Sequence, residues 1–136
     1  MTAPPKKKPV NSRTKGANGE RQLAKDLTAL GYPATRGQQF KGGADSPDVV
    51  CELLREKGYH LECKVTKDCK IFSPATLAEW DQQAERDARS AGLRPVIIHR
   101  WARAGWWVRV QRGGWWMPYW QPLEDWLHDL EVSTGV

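Results

Sequence analysis

A glutamate and a lysine two residues apart, Glu62 and Lys64, are the side chains of this sequence best placed to do chemistry. They belong to Tyr59–Thr66, where apolar and polar residues alternate. The alternation predicts a β-strand with Glu62 and Lys64 on one face and apolar residues on the other. Mid-strand charges are most often ion pairs on a solvated sheet. These two residues alone therefore leave the choice between structure and catalysis open.

Two further carboxylates are predicted to lie near this pair. Asp48 opens a preceding strand, Asp48–Leu54, and a hairpin that turns at Arg55–Gly58 would bring Asp48 beside Glu62. Glu20 lies on the apolar stripe of a predicted helix and is expected to face the sheet, which is unusual for an acid without a partner. A favourable interaction with the helix dipole is the alternative explanation for Glu20.

Carboxylates brought together in this way predict a metal site. Two of them at short range repel each other unless they share a cation. Oxygen ligands without a His or Cys partner favour Mg²⁺, for which Mn²⁺ could substitute. Such an ion can activate water and stabilise the charge on a phosphodiester. Lys64 could orient the attacking water or neutralise developing charge.

The surplus of positive charge lies at the N-terminus. Of 21 basic residues, five are in residues 1–15, which contain no acid, so the remainder has 16 residues of each sign. This arm, 1–15, is expected to be disordered in isolation and suited to sequence-independent contact with phosphates. A solubilising tail or a nuclear-localisation signal are the alternatives. A glycine-rich loop before Pro47 carries Lys41 and could also approach a polyanion.

Composition limits the class of protein. The length suits a single domain, expected at 16–131 with a tail at 132–136, and no apolar run approaches the roughly 20 residues of a membrane span. Three cysteines without CxxC spacing argue against a zinc site and favour a reduced, intracellular, cytoplasmic protein.

The remaining pattern predicts the elements that position these residues. A first helix is expected from its N-cap Asn18 to Gly31, and a second from Ser73-Pro74 to Gly92. The order α-β-β-β-α-β-β-β-α predicts a mixed α/β domain with helices packed on a central sheet. The predicted strands are Tyr32–Arg36, Asp48–Leu54, Tyr59–Thr66, Arg94–Arg100, Gly105–Val110 and Trp115–Trp120, and a last helix covers Pro122–Leu130.

Three motifs in this order resemble a known superfamily. Pro47-Asp48 followed by Glu62-Cys63-Lys64 resembles the proline-aspartate…(Asp/Glu)-x-Lys motif of the restriction-endonuclease-like nucleases. Gly19-Glu20-Arg21 on the first helix and the glycine-rich loop make the chain similar to archaeal-type and phage Holliday junction resolvases. The resemblance runs from about residue 15 to residue 100. Archaeal members tend to carry a functional serine in the loop before the Pro-Asp motif. This sequence departs from that pattern, and Ser46 is the one candidate for such a serine.

The resemblance implies a restriction-endonuclease-like αβββαβ core with a central mixed sheet flanked by helices, plus a Trp-rich C-terminal extension. It implies a Mg²⁺-dependent nuclease that cuts four-way DNA junctions symmetrically, and a homodimer would match the symmetry of that substrate. Alternatives are a general or other branched-DNA nuclease, an inactive DNA-binding module, or an α/β protein whose acids form surface ion pairs. The source could be a virus. The implied catalytic residues are Glu20, Asp48, Glu62 and Lys64; the metal ligands are Asp48, Glu62, the carbonyl of Cys63 and, as a further candidate, Glu20; the DNA contacts are Lys6, Lys7, Lys8, Arg13, Lys15, Arg21, Arg36 and Lys41.

Seven of the eight tryptophans lie in the last 36 residues. Core packing or a subunit interface is the favoured interpretation, because neighbouring Trp pairs on a strand point to opposite faces. Stacking on exposed bases is the alternative.

Overall fold

The fold is taken from a computed structural model that describes residues 12–37, 48–111 and 117–134. Four helices and six strands are present in these ranges. The helices are α1 (Ser12–Ala29), α2 (Glu52–Glu56), α3 (Pro74–Ala91) and α4 (Leu123–Thr134), and the strands are β1 (Thr35–Arg36), β2 (Val49–Val50), β3 (Tyr59–Val65), β4 (Arg94–Arg100), β5 (Trp107–Val110) and β6 (Tyr119–Pro122).

The central sheet is mixed and has the order β3-β4-β5-β6. Strands β3 and β4 are parallel, and the other two pairings are antiparallel. Helices α1 and α4 contribute to the larger core on one face, whereas the inner residues of α3 pack against Ile97 on the other. The predicted α/β class and the αβββαβ order of the core are therefore confirmed, with α2 as an insertion.

Helix α3 has the predicted ends. Ser73 precedes it, Pro74 occupies its first turn, and Gly92 follows with a φ of 70°, the left-handed conformation that glycine adopts at low cost. The first helix was predicted wrongly, because α1 begins at Ser12, six residues before the expected cap Asn18. Cap preferences are local and weak beside the packing of a helix on a sheet. Residues 12–15 are thus helical rather than part of a disordered arm, and residues 1–11 lie outside the described ranges.

The predicted strand Asp48–Leu54 and its hairpin are also wrong. Strand β2 contains only Val49 and Val50 and pairs with β1, and α2 follows at once. Cys51 and Leu54 are buried while Leu53 is 44% exposed, so the spacing of buried residues here is helical and not alternating.

The C-terminal hairpin has the predicted antiparallel topology. Its second strand, β6, begins four residues later than predicted, and α4 extends beyond the predicted end at Leu130. The predicted turn at Arg112-Gly113-Gly114 lies outside the described residues.

Most described tryptophans pack inside the protein. Trp80, Trp106 and Trp126 are buried, and Trp101 stacks on Trp107 with ring centroids 6.3 Å apart. The packing interpretation is confirmed for these side chains, whereas Trp115 and Trp116 lie outside the described part of the chain. In that part no helix is long and apolar enough to cross a membrane, and the three cysteines are free.

Gly19 sets the distance between α1 and β3. A Cβ atom placed on Gly19 would lie 2.7 Å from Cγ2 of Val65, a stiff β-branched side chain with little freedom to move. We therefore expect Gly19→Ala to lower the free energy of unfolding by about 1 to 3 kcal/mol, the range for overpacking. Urea denaturation measures this effect. Gly16→Ala, on the same helix with nothing within 4 Å of its Cβ position, is the matched control and should not destabilise the fold.

Candidate active site

Asp48 and Glu62 form a carboxyl pair at the start of β2 and the centre of β3. The backbone N–H of Asp48 donates to the Leu61 carbonyl at 3.2 Å, and the N–H of Cys63 donates to Oδ2 of Asp48 at 2.9 Å. These two bonds hold the Asp48 side chain against the residues on either side of Glu62. The predicted proximity of the two acids is therefore confirmed, although the connection between them contains α2 and not a hairpin turn.

The environment of Glu62 strongly favours its protonated form. Glu62 is 2% exposed, because α3 covers this face of the sheet. Burial, the charge of Asp48, a hydrogen bond with Asp48 and the charge of Asp87 raise the pKa of Glu62 to about 9, and Lys64 opposes them. At neutral pH in the absence of a metal, Glu62 therefore favours its protonated form. Glu62 is not the surface ion-pair residue of a solvated sheet.

Lys64 is held by a residue of α3. Its ammonium group donates to Oε1 of Gln83 at 2.8 Å. This bond fixes the lysine head group on the face of the sheet that also carries Glu62. Both charged residues of the Glu-x-Lys segment thus lie between β3 and α3.

Glu20 is buried at 7% exposure, as its place on the apolar stripe predicts, and it has an arginine partner. Nε of Arg36 donates to Oε2 of Glu20 at 2.7 Å. Arg36, predicted as a DNA contact, therefore has its charge largely balanced by Glu20. The metal-ligand role of Glu20 and the DNA-binding role of Arg36 remain predictions.

Of the other predicted DNA contacts, the structure describes the side chain of Arg21 alone. Arg21 is exposed and donates to Asn18 at 3.2 Å. Arg13 and Lys15 lie in α1, but their side chains are not described. Four residues, Lys6, Lys7, Lys8 and Lys41, lie outside the described ranges.

Comparison with known proteins identifies the family of the chain. The model of the family described as "Phage putative PDDEXK endonuclease" matches residues 11–123, most of the chain. The chain belongs to this phage PDDEXK endonuclease family. A search of curated proteins found no match. Among solved structures, the chain is similar to Hjc, a Holliday junction resolvase from the archaeal hyperthermophile Archaeoglobus fulgidus, at 20% identity and a TM-score of 0.49, covering 90% of this chain and 98% of that one.

The family match agrees with the carboxyl pair described above. PDDEXK nucleases generally depend on a divalent metal ion. Among the described residues, no group of three or more His, Cys, Asp or Glu side chains could hold a metal. Two carboxyl groups with waters are nevertheless enough for Mg²⁺. The buried Oε1 of Glu62 accepts no hydrogen bond from the described residues and lies 3.4 Å from Nδ1 of His60. An unsatisfied buried oxygen beside a second carboxylate fits a cation ligand.

Sequence reasoning missed Gln83 and Asp87 near the PDDEXK motif. They lie one helical turn apart on α3, beside the buried positions Ala84 and Ala88. Their polar side chains at the edge of an apolar stripe were the available signal.

His99, also missed, links β3 to the loop that follows it. The backbone N–H of Lys70 donates to Nε2 at 3.2 Å, so Nδ1 carries the ring proton and donates to the Lys64 carbonyl at 2.8 Å. Burial lowers the pKa of His99, which keeps the ring neutral as both bonds require. The rings of Trp80, Trp101 and Trp120 surround it.

We expect His99→Phe to lower the free energy of unfolding by about 1 to 3 kcal/mol. Phenylalanine keeps the aromatic packing but leaves the Lys70 N–H without its acceptor, at about 1 to 3 kcal/mol, and removes one of the hydrogen bonds to the Lys64 carbonyl, which remains in the ladder between β3 and β4. Urea denaturation at neutral pH measures the loss. His128→Phe, the same change at an exposed position on α4, should have little effect. Equal stabilities of the two variants would contradict the bridging role of His99.

Proposed function

We propose that this family member is a metal-dependent, structure-selective endodeoxyribonuclease that resolves four-way DNA junctions by symmetric phosphodiester hydrolysis. The observation that carries the proposal is the carboxyl pair of half-buried Asp48 and buried Glu62, with Lys64 on the same strand as Glu62. Burying Glu62 beside a second acid costs stability. A fold keeps such a pair when a cation or a reaction uses it.

Asp48, Glu62 and the carbonyl of Cys63 would hold a divalent ion, Mg²⁺ or Mn²⁺. When bound, the ion supplies Lewis-acid activation of water and charge neutralisation at the phosphodiester. Asp48 is already oriented by the Cys63 N–H, and Glu62 must lose its proton before it can serve as a ligand. The carboxyl groups therefore bind a metal better as the pH rises.

Lys64 supplies a fixed positive charge to the reaction. Its ammonium, held by Gln83, can stabilise the charge that develops on the phosphate oxygens or orient the attacking water. Its fixed position means that little reorganisation is needed during the reaction.

The resolvase part of the proposal is supported by the similarity of Gly19-Glu20-Arg21 and of the loop before Pro47-Asp48 to the resolvases. A four-way junction needs two symmetric cuts, so we also propose a homodimer with two active sites on a two-fold axis. The family assignment itself indicates an endonuclease without naming its substrate.

The substrate is tested by cleavage of labelled DNA of matched sequence: a four-way junction, a flap and a linear duplex. With Mg²⁺ we expect paired cuts in opposite arms of the junction and much slower cleavage of the duplex. Equal cleavage of all three would reject the resolvase and leave a general nuclease. Tight junction binding without cleavage in Mg²⁺ or Mn²⁺ would favour an inactive DNA-binding module.

A further inference from the structure

A groove with three basic residues and no acid in its lining opens beyond the C-terminal ends of β3 and β4. It is an open groove with a volume of about 470 Å³. Lys67 and Arg103 are exposed, and Arg100 is half-buried. The groove is lined by Val65, Thr66, Lys67, Arg100, Trp101, Ala102, Arg103 and Ala104.

Backbone hydrogen bonds hold the two segments of this basic groove together. The N–H of Thr66 donates to the Arg100 carbonyl at 3.0 Å, and the N–H of Ala102 donates to the Lys67 carbonyl at 3.2 Å. Arg103 has a φ of 65°, the single positive value at a non-glycine residue in the described ranges. Arg103 lies in the turn closed by the Ala104 N–H, which donates to the Trp101 carbonyl at 3.1 Å, and a turn is where such backbone occurs.

Arg100 lies at the start of the basic groove, on the face of the sheet that packs against α1. Its guanidinium lies over the ring of Trp106, 4.5 Å from the centroid, which fixes its direction. The groove begins at Val65, the residue that follows Lys64 on β3, and so adjoins the Glu-x-Lys segment along the strand.

We propose that the basic groove binds the phosphates of the DNA strand next to the one that is cut. The partner is a DNA backbone because three cations without an interspersed acid suit a row of phosphates, which are contacted without regard to sequence. This inference rests on the proposed function. It assigns DNA contact to the folded domain, in addition to the N-terminal residues predicted from charge.

The test measures junction binding by fluorescence anisotropy as a function of salt, in a full-length Asp48→Asn background that should not cleave. Lys67→Ala and Arg103→Gly each remove one cation; glycine tolerates the φ at position 103. Each should reduce the slope of log K against log salt by about 1 and weaken binding several-fold at low salt. Lys67→Arg should restore the slope.

Arg55→Ala is the control of matched charge, since Arg55 is exposed on α2 before the opposite end of β3. Slopes for Lys67→Ala and Arg103→Gly equal to that of Arg55→Ala would overturn the proposal, as would absence of junction binding by the background protein. Cleavage by the chain with native Asp48 separates the two claims. If the two variants leave the slope unchanged and the chain with native Asp48 cleaves the junction, only the role of the groove is rejected. If the variants change the slope and that chain does not cleave, only the nuclease activity is rejected.

Discussion

Glu62→Gln is expected to reduce the Mg²⁺-dependent cleavage rate by about 1,000-fold or more. The amide keeps the shape of the side chain but supplies no negative charge to a cation, and the loss of a group that acts in the transition state has effects of this size. Asp48→Asn should do the same, although its remaining oxygen can still accept the hydrogen bond from Cys63. Single-turnover cleavage of a labelled junction measures these rates.

Two further variants are expected to lower the cleavage rate by smaller factors. Lys64→Ala should cost about 100- to 1,000-fold, because it removes a charge at the reacting phosphate. Gln83→Leu removes only the group that positions Lys64, and its loss should be about 10- to 100-fold. Glu52→Gln, the same chemical change at an exposed residue of α2, is the control. Full activity of Glu62→Gln would contradict the assignment of the site.

In the absence of metal, Glu62→Gln is expected to be more stable than the native chain at pH 8. The pKa of Glu62 rises from 4.5 to about 9 on folding, so the unfolded state binds fewer protons between these values. The contribution of this group to stability is complete below pH 4.5 and is lost as the pH rises toward 9. A neutral amide avoids the loss, and we expect a gain of about 1 to 4 kcal/mol at pH 8.

Thermal unfolding with a chelator, at pH 5 and pH 8, tests this prediction. The gain from Glu62→Gln should be small at pH 5, where the native side chain is protonated. Added Mg²⁺ should stabilise the native chain at pH 8 and leave Glu62→Gln unchanged, since an ion that binds the folded state stabilises it. A gain that does not depend on pH would show that the cost of ionising buried Glu62 beside Asp48 is not its cause.

The acids of the site were predictable because their residue types are rare in their positions. Glu20 on an apolar stripe and the Asp48–Glu62 pair could be found from periodicity, although the hairpin argument for the pair was wrong. Alternation identifies one apolar face of β3 but not what covers the other. The burial of Glu62 under α3 therefore required the structure.

Contacts that depend on the register between two strands could not be predicted from the sequence. His99 reaches the Lys64 carbonyl because β3 and β4 are parallel and pair Lys64 with His99, a register that no local pattern specifies. Similarly, counting charges along the sequence locates the positive surplus in residues 1–15 and leaves the rest of the chain formally neutral. Folding separates those balanced charges in space, and Lys67 and Arg103 meet in a groove that contains no acid.

Calorimetric titration of Mn²⁺ and Mg²⁺ into the metal-free protein shows whether Asp48 and Glu62 together bind a divalent ion. Measurement at pH 7.5 in buffers of different ionisation enthalpy also counts the protons released. We expect the native chain to bind the ion and to release about one proton, the proton that Glu62 holds in the metal-free protein. Asp48→Asn and Glu62→Gln should bind much more weakly and release none. Absence of binding by the native chain, or equal binding by all three proteins, would contradict the assignment of the ion to these two residues.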